Sequence, residues 1–214
     1  MSVVKTNLNV PIKSEMISKL PTPLQNLSED DMVKVLSMSY RMCVEHRGCP
    51  YEDITGSEVS EKIKSAAMWL KSPARRSCLL LQGLPGTGKT TLTWAIYSML
   101  STVNTSMLYT TSQKLFDYYN YLAAGTSAAF NEYMNAKRLF LDDLGNEPPK
   151  YLYYGVEYNP IELLLNYRYE RQLPTIITTN LSDAMIRERY GERISDRFAE
   201  MCTILRFSGH SYRK

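Results

Sequence analysis

Apolar positions along the chain change their period near residue 77, and that change divides it into two halves. After Ser28 a hydroxyl followed by three acids suits a helix start, and apolar residues recur at helical spacing until about His46. Gly48 and Pro50 end that helix. A second helix is expected over residues 58–71, with Val59, Ile63, Ala66, Ala67 and Leu70 on one face, before Ser72-Pro73 breaks the chain. From residue 77 onward, short apolar runs alternate with helical stretches, the pattern of a parallel sheet with crossover helices. The expected strands are Cys78–Gln82, Ser106–Tyr109, Arg138–Leu141, Thr175–Thr178 and Thr203–Phe207. The expected helices cover 89–102, 112–123, 127–136, 160–172 and 182–199. Residues 1–27 carry three prolines and no sustained period and read as an extended arm, and Pro148 to Pro160 reads as the longest irregular connection.

Composition narrows the class without naming a chemistry. The 214 residues are 44% hydrophobic and 22% charged, ordinary values for a globular chain. No apolar run approaches membrane-spanning length and the first 25 residues lack a secretory pattern, so a cytoplasmic protein without membrane attachment is expected. Net charge of +3 does not announce a nucleic-acid partner. Cys78 and Cys202 fall in apolar runs and read as small buried hydrophobes. Cys43, His46 and Cys49 are close enough to suggest zinc, but a structural site takes four ligands and no fourth lies nearby.

The chemistry concentrates in three strand ends. Gly83-Leu84-Pro85-Gly86-Thr87-Gly88-Lys89-Thr90 is a complete P-loop, fed by a strand and followed by a helix. Its glycines let the backbone curl so that successive amides meet phosphate oxygens, with the helix dipole behind them. Lys89 is expected to reach the β- and γ-phosphates of ATP, Thr90 to ligate Mg²⁺, and Thr91 to complete the cradle. The apolar strand ending in Asp142-Asp143 supplies the second part: Asp142 for the metal, directly or through its waters, and Asp143 to orient or deprotonate the attacking water. Many ATPases place a longer Glu at the Asp143 position, so Asp143 has a shorter reach and Glu147 is the alternative for that role. The third strand ends in Thr178-Thr179-Asn180, where Asn180 can sense the γ-phosphate or merely cap the next helix.

Nine of the eleven basic residues between 138 and 214 are arginines, the side chain suited to paired phosphate contacts. Arg193 and Arg197 are four apart and share a helix face, where phosphate contact and pairing with Glu192, Asp196 or Glu200 fit equally well. Single-strand binders combine cations with stacking aromatics. Lys114 with Tyr118, Tyr119 and Tyr121, and the tyrosines of 151–158, are the two candidate clusters, with packing as the alternative for each.

The motif series GLPGTGKT, RLFLDDLGNEP, PTIITTNLS, YGERISDRFAEMC and FSGHSYR resembles the DnaC-type bacterial helicase loaders and the IstB-type transposition helpers, both AAA+ ATPases. The resemblance covers residues 75–214 and implies a five-stranded parallel ASCE sheet flanked by helices, with the sensor strand between the P-loop and acid-pair strands. A short helical N-terminal region, residues 1–74, is then a possible partner-binding unit. By resemblance, Arg197 is the arginine finger acting on a neighbouring subunit's ATP and Arg213 the second sensor touching its own. The resemblance further implies homo-oligomers formed on ATP or single-stranded DNA, with a replicative helicase as partner, or a transposase for the IstB type. A small-molecule kinase and an adaptor that binds nucleotide without hydrolysis are the competing classes.

Overall fold

The computed structural model describes residues 22–51, 56–72, 76–123, 128–153 and 156–209. Five strands form one parallel sheet: β1 (Cys78–Gly83), β2 (Leu108–Thr111), β3 (Leu139–Leu144), β6 (Thr175–Thr179) and β7 (Cys202–Phe207). Their order is β2-β3-β6-β1-β7, so β6 separates the P-loop strand from the acid-pair strand, as the family resemblance implies. Long parallel registers hold them, with Cys78–Gln82 against Thr175–Thr179 on one side and Cys78–Gly83 against Cys202–Phe207 on the other.

Alternation within each strand divides the interior into two cores. Leu79, Leu81, Phe140, Ile176, Leu205 and Phe207 face one layer, built from α1 (Glu29–His46), α2 (Glu58–Lys71) and α3 (Lys89–Ser101). Cys78, Leu80, Leu139, Leu141 and Ile177 face the other, built from α4 (Ser112–Ala123), α5 (Ala128–Asn135), α6 (Pro160–Glu170) and α7 (Asp183–Met201). Side-chain oxygens accept the early amides of several helices: Ser28 from Asp31, Ser57 from Ser60, Asn159 from Glu162 and Ser182 from Met185. The buried face of α1, formed by Met32, Leu36 and Tyr40, sits in the same core as Leu92, Ala95, Ile96 and Met99 of the P-loop helix. A change of sequence period at residue 77 thus does not divide the hydrophobic core.

Several expectations shift in detail. The second strand lies two residues later than its apolar run suggests, because Met107 is buried ahead of it and Thr110, fully buried, belongs to it. The third strand continues through Asp142 and Asp143 to Leu144, accommodated by a register irregularity between Leu141 and Leu144. The tract expected to be irregular holds an antiparallel pair, β4 (Tyr151–Tyr153) and β5 (Val156–Tyr158), with Tyr151 opposite Tyr158. Aromatic residues favour strands, and here that preference outweighs the missing alternation.

One buried cation fastens the second layer. Arg168 of α6 is fully buried and donates to Thr175 Oγ1 at 2.9 Å and to the carbonyls of Tyr133, Ala136 and Pro174 at 3.0, 2.8 and 2.8 Å. Burial pulls its ionisation down to about 10. Arg168→Met is expected to strand those acceptors and cost about 3 kcal/mol or more, read as a lower urea midpoint.

Candidate nucleotide site

The loop between β1 and α3 is shaped by glycines that tolerate no substitute. A Cβ on Gly83 would stand 2.2 Å from the Phe207 carbonyl oxygen, so only glycine lets β1 turn away this close to β7. Gly88 takes φ 95° at the start of α3, a left-handed conformation that β-carbons disfavour. Thr87 Oγ1 closes the loop by donating to the Leu84 carbonyl at 2.8 Å. The ladder of α3 begins with the Leu92 amide on the Gly88 carbonyl at 2.9 Å, and the amides ahead of it lie outside the ladder at the positive end of the helix dipole. Lys89 is buried, and its ammonium donates to the Gly83 and Leu84 carbonyls at 2.7 Å each, which fixes the charge beside the loop.

Three strand ends meet at Asp142. This carboxylate is 5% exposed, and its Oδ1 accepts from Thr178 Oγ1 at 2.5 Å and from Thr90 Oγ1 at 3.1 Å. Burial pushes the carboxyl above the usual aspartate range, while the Thr178 hydroxyl pulls the other way, as does Thr90. Thr178 also accepts the Asp143 amide at 2.9 Å, and Ser112 Oγ donates to the Asp143 carbonyl at 2.6 Å. These bonds hold Asp143 at φ 54°, a conformation uncommon outside glycine and frequent at functional sites. A hydroxyl and a carboxylate in contact at the foot of a phosphate cradle form the hard oxygen donor set that Mg²⁺ takes with a nucleotide. This donor set fits the phosphate tail of a nucleotide with its Mg²⁺.

The remaining sequence-derived residues separate into distinct places. Glu147 is buried, receiving the Gly145 amide at 3.0 Å and the Tyr190 hydroxyl, with Arg189 Nε 3.4 Å away. Its carboxylate is thus committed within its own cluster, whereas Asp143 stays half-buried beside Asp142. Asn180 is exposed immediately after Thr179 at the end of β6. Arg197 is held by α6 through Asn166 Oδ1, Glu170 at 3.7 Å and the Tyr169 ring at 4.3 Å, rather than by the acids of its own helix. Gly191 interrupts α7 at φ 82° and ψ 168°, and Arg193 beyond it is exposed. Arg213 lies outside the described residues.

Tyr118 and Tyr119 are half-buried packing residues: Tyr118 stacks on Tyr133 at 5.9 Å and Tyr119 meets Phe130 edge-on at 5.3 Å. The two tyrosine clusters touch through Tyr119 and Tyr158, centroids 6.2 Å apart. The side chains of Tyr121, Tyr151, Tyr153 and Tyr154 lie outside the described residues. Among the described residues, Cys43, His46 and Cys49 belong to no group of three metal-ligating side chains, and no helix is long and apolar enough to cross a membrane. A cleft of ≈ 560 Å³ opens beside the Glu147 cluster, lined by Lys150, Glu157, Tyr158, Glu162, Glu188 and Arg189 among others.

Sequence reasoning missed two groups at the acid pair. Thr178 was visible only as a strand-end hydroxyl; its bond to Asp142 needs β6 beside β3, which the strand order supplies. Tyr109 was read as an apolar strand position, yet burial and then the Asp142 and Asp143 charges raise its phenol.

Asp142 yields a pH prediction. A carboxyl that titrates higher when folded loses stability as pH rises from the ordinary aspartate range through its raised value, because the native state holds its proton longer. Asp142→Asn, which keeps an oxygen for Thr178 and Thr90, is expected to raise the Tm at pH 7.5 by a few degrees in nucleotide-free protein. The gain should vanish below the ordinary aspartate range, as thermal melts across pH would read.

No protein-family model and no curated protein matches the chain. Solved structures do. The DnaC helicase loader superposes with a TM-score of 0.57 at 23% identity, covering 74% of this chain and 93% of that one. DnaI matches with a TM-score of 0.55 at 21% identity over 94% of this chain and 99% of its own. AMPPCP-bound DnaA from Aquifex aeolicus reaches a TM-score of 0.50 at 19% identity, covering 73% of this chain and 47% of that one. The five-stranded order and these likenesses together give the chain the fold of the DnaC helicase loader and DnaI, with a P-loop after its first strand.

Proposed function

We propose that this protein is an ATPase of DNA replication that acts as a helicase loader, with ATP binding and hydrolysis coupled to single-stranded DNA and to a replicative helicase. The observation that carries the ATPase reading is the Asp142 carboxylate bonded at once to Thr90 of the P-loop and Thr178 of the middle strand. The loader reading draws its support from the fold shared with the DnaC helicase loader and DnaI.

In this reading the P-loop amides and Lys89 bind the phosphate tail, and Thr90 and Asp142 hold Mg²⁺. When bound, that ion neutralises charge on the β- and γ-phosphate oxygens. Asp143 orients a water for in-line attack on the γ-phosphorus and takes its proton; the bond to the β-phosphate oxygen breaks, leaving ADP and phosphate. Asn180, exposed at the same sheet edge, contacts the γ-phosphate and the water. Arg197 acts on the ATP of a neighbouring copy, and Arg213 on the nucleotide of its own chain. This division of labour makes hydrolysis depend on assembly, since no single copy holds the whole set.

Turnover should rise with single-stranded DNA and with protein concentration. Lys89→Ala is expected to lose nucleotide binding, and Arg197→Ala to bind ATP while losing about 10³-fold or more in turnover. Mixing the two variants should restore part of the activity, because the Lys89→Ala copy still offers its Arg197. Full activity of Arg197→Ala alone would remove the trans role, and a turnover indifferent to DNA would remove the loader reading.

A further inference from the structure

Helix α1, in the region ahead of the P-loop strand, reaches the cradle itself. The Tyr40 hydroxyl stands 2.9 Å from where a Cβ on Gly88 would lie, so α1 closes the outside of the loop at its last glycine. Seven residues on, two turns along the same helix face, Arg47 ends α1. Its Nη1 donates to Thr91 Oγ1 at 2.8 Å, joining residues 44 apart in sequence. Thr91 is the third residue of α3, ahead of the first ladder bond made by Leu92. Its amide thus belongs to the set that a P-loop turns toward the α- and β-phosphates.

The partners of Arg47 are as informative as its place. Among the described residues no carboxylate lies within 4.0 Å of its guanidinium, although Arg41, Arg189, Arg197 and Arg206 each have one. The backbone behind it is pinned, with the Arg47 amide on the Val44 carbonyl at 3.1 Å and Gly48 at φ 71° turning the chain away. A guanidinium carries five donors in a planar fork matched to phosphate oxygens, and here one of them is spent on a neutral hydroxyl. Arg47 is exposed, so a ligand can reach it without displacing core.

We propose that Arg47 is a phosphate-binding residue of the nucleotide site, donating to the α-phosphate of the nucleotide while it stays on Thr91. Lys89 and Thr90 already serve the β- and γ-phosphates, and Thr91, one residue further along α3, sits on the nucleoside side of them. The inference rests on the nucleotide reading of the P-loop and adds a consequence to it: bound nucleotide ties α1 to α3, so the N-terminal region senses whether the cradle is filled, whichever phosphates remain.

Calorimetric titration of the full chain with ATP and with ADP, both with Mg²⁺, tests it in wild type, Arg47→Gln and Arg47→Lys. Glutamine keeps an N–H for Thr91 but no charge. The expected result is that Arg47→Gln weakens ATP and ADP by the same factor, about tenfold or more, with the nucleotide-free Tm unchanged. Arg47→Lys should recover part of the loss as a point charge. Unchanged affinities would overturn the proposal, as would a loss confined to ATP or one accompanied by a lower nucleotide-free Tm. If wild type itself binds neither nucleotide, the underlying nucleotide reading fails and this inference falls with it.

Discussion

A single buried carboxylate sets the geometry of this protein. Asp142 takes hydrogen bonds from Thr90 and Thr178, so one side chain joins the P-loop helix, the acid-pair strand and the strand between them. That junction is possible only because β6 lies beside β3 and β1 in parallel register, bringing three C-terminal strand ends to one edge. Burying a carboxylate this deeply is unfavourable until hydroxyls, and then a cation, compensate it. A cation held at Asp142 would therefore offset part of that cost. The same hydroxyl of Thr178 receives the Asp143 amide, so orientation of the second acid follows from the first.

Around that edge the protein divides its charged groups by task. Glu147 is locked to Tyr190 and Arg189, which fastens the loop after β3 to the first half of α7. Beyond the interruption at Gly191, Arg197 is fastened to α6 by Asn166, Glu170 and Tyr169. Arg168, two residues from Asn166, anchors α6 to the start of β6 through Thr175 and the Pro174 carbonyl. On the opposite layer, Tyr40 and Arg47 bring α1 to the P-loop.

The sequence made the sheet strands, their flanking helices and the phosphate loop legible because each follows from a local rule: apolar runs of fixed length, hydroxyl caps and glycine spacing. Strand β3 was legible as an apolar run but not in its extent, since its last turn of chain is polar and is held by Thr178 and Ser112 from distant segments. Thr178, Tyr109, Tyr40 and Arg47 could not be assigned to the site from spacing, because each reaches it through the tertiary arrangement of elements far apart in sequence. The tyrosine pairs show the same limit in reverse. Spacing left Tyr118 and Tyr119 open between stacking on bases and packing, and in the fold their rings meet Tyr133 and Phe130.

If Asp142 is the point at which the fold and the nucleotide meet, then much of the effect of Mg²⁺ on binding should depend on it. The most direct measurement is the affinity of the intact chain for AMPPCP with and without Mg²⁺, in wild type and in Asp142→Asn. The account predicts tight one-to-one binding in wild type that strengthens with Mg²⁺, and binding in Asp142→Asn that responds far less to the cation. Nucleotide binding indifferent to Mg²⁺ in wild type, or an undiminished Mg²⁺ response in Asp142→Asn, would contradict it.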